Sequence, residues 1–163
     1  MSEFRIEKRR THAAVTLSTG AVVHGCFFLA GSRPSHTGPE RVADLLNAEN
    51  GFFPFEFMSD NGLRTALINR AQVVEIRLLE GEDEVQSDPG YAVATEREVR
   101  MLLSIGRMVT GRVRVQLPTG RDRLSDYTRG PEAFRYVETA EGTLIVNSAH
   151  IVELQEASDA ARD

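Results

Sequence analysis

The chain carries one pattern twice, and this duplication restricts its possible folds more than any other feature. Leu17-Ser18-Thr19-Gly20, with Gly25 five residues on, returns as Leu103-Ser104-Ile105-Gly106 with Gly111. Arg41-Val42-Ala43-Asp44 returns as Arg123-Leu124-Ser125-Asp126. The run 67–76 returns as 145–154, with Asn69 and Asn147 in register. The spacing between copies falls from 86 to 82 to 78, once per loop. Length changes confined to loops are what two copies of one folding unit show.

Inside each copy the hydrophobic period is two. Ala13, Val15 and Leu17 alternate with Ala14, Thr16 and Ser18, and Val99, Met101 and Leu103 hold the matching positions. Such alternation marks a half-buried strand. Returning strands rich in β-branched residues are expected over 22–29 and 108–117. Later strands are expected over 52–58, 65–69 and 73–78, with counterparts at 134–139, 143–147 and 151–155. A rival reading starts a helix at the capping box Thr95-Glu96-Arg97-Glu98, but the first copy has Ala-Val-Thr-Leu in register there, which favours a strand. One short helix per copy is expected, near 40–47 and 122–129. Five short strands, a tight first turn and one helix or turn describe a small, strongly bent β-barrel. The expected fold class is therefore mainly β, as two tandem small barrels. Gly25 and Gly111 would either bend the second strand or end a turn.

The expected organisation is a basic lead-in (1–12), a first repeat (13–79), an acidic linker (80–96), a second repeat (97–156) and a tail (157–163). Units of about 60 residues are marginal alone, so the copies are expected to pack as a pseudo-dimer. The net charge of −5 is concentrated: Glu80, Glu82, Asp83, Glu84, Asp88, Glu96 and Glu98 crowd around the linker against Arg97 alone. The repeats are left near neutral, without the basic stripe of a nucleic-acid binder. There is no apolar run of about 20 residues to span a membrane. The first ten residues lack the apolar stretch of a signal peptide, and the single cysteine, Cys26, has no internal disulfide partner. A cytoplasmic location is the expectation.

Catalytic patterns are lacking. His12, His24, His36 and His150 are scattered without zinc-ligand spacing, and there is no Gly-rich phosphate loop or nucleophile elbow. His24 and Cys26 can share one face of a strand. The chain is expected to be no enzyme and to hold no cofactor or metal. Phe27, Phe28, Phe52, Phe53, Phe55 and Phe57 supply six of the eight phenylalanines, all in the first repeat. Alternation sends about half of a strand to each face, so this cluster divides between the core and a second surface. That surface would be the inter-repeat contact, or else a partner or self-association site in which Phe53 and Phe55 are candidates. Small barrels also leave strand edges open to a partner strand. The first functional expectation is thus an adaptor or regulatory module in a bacterial cytoplasm, binding a protein through an aromatic face or strand edge of the first repeat.

Three resemblances add to this. Asp44 and Asn47 followed by Asn69-Arg70 resemble the two-part signature of Sm-like proteins, which implies that these four residues form a base-binding set. They also suit plain structural roles, with Asp44 and Asp126 as caps and Asn69 and Asn147 in β-turns. Leu17-Ser18-Thr19-Gly20, Arg123-Leu124-Ser125-Asp126-Tyr127, Asp44-Leu45-Leu46-Asn47 and Phe52-Phe53-Pro54-Phe55 are similar to the motifs of an uncharacterised bacterial family that closes on Asn-x-x-x-Ile-Val. That resemblance covers both repeats and implies a small Sm-like or SH3-like barrel. Finally, Arg5 and Arg9, with 33–38, resemble the two motifs of PilZ domains, which implies phosphate and guanine contacts to cyclic-di-GMP. A nucleotide or RNA binder is the alternative function.

Overall fold

The two Leu-Ser-x-Gly segments close tight hairpins because Gly20 and Gly106 adopt φ of 89° and 85°, a backbone region that side chains resist. A computed structural model describes residues 8–30, 40–79, 95–115 and 124–157. Arg5, the segment 33–38, the linker up to residue 94 and the tail beyond residue 157 lie outside the described residues. The first copy contains β1 (Lys8–Leu17), β2 (Val22–Ala30), α1 (Val42–Ala48), β3 (Phe52–Ser59), β4 (Gly62–Asn69) and β5 (Val73–Leu78). The second contains β6 (Thr95–Leu103), β7 (Met108–Val115), α2 (Leu124–Thr128), β8 (Phe134–Thr139), β9 (Gly142–Asn147) and β10 (Ile151–Glu156). The strand reading of 99–103 holds, since pairing with β7 and β10 on both sides of β6 outweighs the local capping signal. β1 starts at Lys8, inside the segment read as a lead-in.

The tandem closed barrels are corrected to one ten-stranded sheet in the order β10-β6-β7-β8-β9-β5-β1-β2-β3-β4. Each copy supplies five strands in the same order, with its last strand beside its first. Closing a copy on itself would require β4 to pair with β5. A single 3-10 turn, Arg70–Gln72, separates them, and β5 instead gives its second edge to β9. Ser148–His150 makes the same turn between β9 and β10. In both turns the preceding asparagine side chain accepts from the amide two residues on.

The sheet bends where β2 crosses to β3 and where β7 crosses to β8. Only Gly25↔Phe57 and Cys26↔Glu56 pair at the first bend, and only Arg112↔Glu138 at the second. Gly25 and Gly111 sit in these bends, at ordinary negative φ, because the facing backbone comes too close for a Cβ.

Two cores form, and each borrows from the other copy. The first gathers Phe27, Phe53, Phe55, Leu29 and Leu46 and is completed by Phe134 and Ile145 of the second copy. The second gathers Met101, Val113, Val137 and Leu144 and is completed by Val74 of the first. Phe27 stacks on Phe53 at 5.4 Å and meets Phe55 edge-on at 5.1 Å, so burial and ring geometry both favour this parity of β3.

Candidate functional site: the joint and the free edges

Strands β5 and β9 join the copies through the pairs Glu75↔Val146, Ile76↔Ile145 and Arg77↔Leu144. Polar side chains reinforce this seam. Asn47, at the end of α1, donates from Nδ2 to the Phe134 carbonyl and accepts from the Phe134 amide, both at 2.9 Å. A side-chain amide carries a donor and an acceptor on separate atoms, so it can answer a backbone N–H and C=O together. Buried Asn147 donates to the Val73 carbonyl at 2.9 Å. The His150 ring bridges the Ser104 hydroxyl and the Ala71 carbonyl, 2.7 and 2.8 Å away.

Glu75, buried on β5, is paired with Arg107 in the β6–β7 turn. Burial pushes its carboxyl above the ordinary value of 4.5, against the opposing pull of Arg107 and Arg77. A folded-state pKa raised above the unfolded one means that the unfolded chain releases this proton first as pH rises. This group therefore contributes stability below its unfolded pKa and loses it as pH climbs to the folded value. Glu75→Gln should remove that decline. In urea titrations from about pH 4 to about pH 7, the variant should gain on the wild type as pH rises. A pH-independent difference would contradict the assignment.

An open groove of about 660 Å³ lies over the seam, lined by Asn47, Glu49, Arg70, Glu132, Phe134 and Asn147 among others. It brings together Asn47 and Arg70 of the predicted set. Arg70 is 6% exposed, and its guanidinium donates to the carbonyls of Phe52 (2.7 Å) and Leu45 (3.1 Å). Asp44 caps α1, accepting from the Arg41 amide at 2.9 Å and from its guanidinium. Asn69 holds the turn to Ala71 at 3.0 Å, and Arg9 donates to the Glu40 carbonyl at 2.9 Å. Phe53 and Phe55 lie in the first core, so the exposed aromatic of this strand is Phe52, at 58%. Cys26 has its sulfur 3.2 Å from Nδ1 of His12 across the strand pair, rather than beside His24 alone. Among the described residues no group of His, Cys, Asp and Glu side chains could hold a metal ion. No described helix is long and apolar enough to cross a membrane.

The sequence reading expected an open strand edge in the first repeat without saying which strand carries it. The outer edges of β4 and β10 pair with no strand among the described residues. Register places Phe52, Pro54, Met58, Leu63 and Leu67 on one face of the β3–β4 hairpin. Four of them are large and open, with Met58 and Leu67 each 70% exposed. The signal was present in the parity of the pattern, since these residues alternate with Phe53, Phe55 and Ile68. The chain matches no model of a protein family, no curated protein and no solved structure.

Proposed function

We propose that this chain is a non-catalytic interaction module that takes a protein strand on the outer edge of β4, in a cytoplasmic setting. The observation that carries the reading is the coincidence of a strand edge unpaired among the described residues with an exposed apolar face, to which Leu67 contributes from the edge strand and Phe52 from its neighbour β3. A free edge supplies hydrogen bonds to an added strand, and the face beside it supplies apolar burial. The nucleotide-binding alternative has less support. Arg70, Asn47 and Asp44, which it would use, direct their hydrogen bonds to groups within the chain.

Immobilised wild-type chain should retain proteins from an extract of its own cells, and Leu67→Lys should lose them. Met108→Lys, at another exposed apolar residue away from this hairpin, should keep them. Equal retention by wild type and Leu67→Lys would refute the edge reading. Purified protein with a high 260-to-280 nm absorbance ratio, unaffected by Leu67→Lys, would point to nucleic acid instead.

A further inference from the structure

We infer that copies of this chain join head to tail, the β10 edge of one adding to the β4 edge of the next. This rests on the reading of β4 as a strand acceptor and names the strand. The two repeats already make such a joint internally. By the sequence repeat β10 is the counterpart of β5, and β4 is the counterpart of β9. Within one chain β5 pairs with β9. Among the described residues what remains unpaired is one edge of each kind, so these edges are the two halves of a joint whose other example is already built.

The side chains at the free edges match those of the built joint. Val74 is fully buried in the second core, while its counterpart Val152 is 65% exposed. Ile145 and Phe134 are buried in the first core, while their counterparts Leu67 and Phe52 stand open at 70% and 58%. Apolar residues conforming to a buried pattern but left in solvent mark a surface that expects cover.

Polar groups follow the same rule. Asn147 uses its Oδ1 on its own turn and its Nδ2 across the joint; Asn69 uses its Oδ1 likewise, and no described residue accepts from its Nδ2. His150 links Ser104 to a carbonyl across the joint. Its counterpart Gln72 accepts from Ser18, which leaves its amide nitrogen to reach the Ala149 carbonyl of a neighbour. Transferring the internal register sets Glu153 opposite Ile68, Leu154 opposite Leu67 and Gln155 opposite Ala66.

Two features are not repeated. Arg107, the partner of Glu75, corresponds to Ala21, and Asn47 corresponds to Arg129. The joint between copies therefore lacks the ion pair and the amide clamp, and is weaker than the internal one. Because the joint is heterologous, it propagates into a ring or a fibre instead of stopping at a dimer.

Complementation tests this on the full chain, by light scattering after size exclusion and by native mass spectrometry. Wild type should form concentration-dependent species larger than a dimer. Leu67→Lys, which blocks the β4 side, and Val152→Lys, which blocks the β10 side, should each be monomeric with an unchanged circular dichroism spectrum. Mixed in equal amounts, they should give a heterodimer and nothing larger, since one intact edge of each kind remains. If Leu67→Lys misfolds, Phe52→Asp blocks the same side. Dimers formed by either variant alone would mean like-with-like edge pairing and overturn the proposal. A wild type that stays monomeric, while Leu67→Lys still loses captured proteins, would overturn it and leave the strand-acceptor reading standing. Assembly that survives Leu67→Lys would overturn the proposal, and equal protein retention by that variant would overturn the strand-acceptor reading as well.

Discussion

Gly25→Ala should lower the melting temperature by about 9 °C, although it adds only a methyl group. A Cβ at this position would lie 2.0 Å from the Glu56 carbonyl oxygen and 2.8 Å from the Phe55 ring. The nearest obstacle is backbone in the facing strand, so it cannot move aside as a flexible side chain could. Nor can β3 retreat freely, because moving away from β2 would pull the buried Phe55 ring off Phe27 of that same strand. Overpacking of this kind costs about 3 kcal/mol, and each kcal/mol shifts the midpoint by about 3 °C in a chain of this size. Gly111→Ala should cost less, since its Cβ would stand 2.6 Å from the Glu138 oxygen and otherwise meet the end of Val137. Thermal unfolding followed by circular dichroism gives both values. A loss under about 2 °C for Gly25→Ala would mean that β2 and β3 have room to separate at the bend.

The strands of this protein were readable because period-two alternation and the internal repeat pointed to the same residues. Their arrangement was not, because the choice between closing β4 onto its own β5 and giving that edge to β9 leaves no local trace. Asn69 and Asn147 lead identical turns, yet one turn sits inside the joint and the other beside a free edge. The alternation along β3 was visible, but which of its two faces is buried was not. With phenylalanines at 52, 53, 55 and 57, both faces of the strand look apolar, and only packing against Phe27 selects 53 and 55 for the core. Mismatches between the copies carried more information than their matches. Asn47 against Arg129 and Glu75 with Arg107 against Glu153 with Ala21 distinguish the built joint from the open edges. A sequence reader could see those differences as functional without knowing that their function is to hold the two halves together.

Arg70 is the residue whose role changes most between sequence and structure, and Arg70→Met should cost about 3 kcal/mol of stability. As an exposed cation after Asn69 it would suit a ligand. Buried, it ties the Phe52 carbonyl of β3 and the Leu45 carbonyl of α1 together, with its guanidinium 5.5 Å from the centre of the Phe53 ring. Methionine can fill the space but leaves both carbonyls without that donor. Lysine should rescue little, because a compact ammonium cannot reproduce a planar fork spanning two elements. Urea unfolding should show the loss as a lower midpoint at an unchanged slope. A residue that serves only a ligand would instead stay within about 0.5 kcal/mol of wild type. The loss should also travel. Leu45 lies two residues before Asn47, so releasing its carbonyl loosens the end of α1 that clamps Phe134. The Phe134 amide, which donates to Asn47, should then exchange with deuterium faster in Arg70→Met than in the wild type, beyond what the global loss of stability accounts for. Exchange at Phe134 that merely tracks global stability would confine Arg70 to the first core and assign the joint to Asn47 and Asn147 alone.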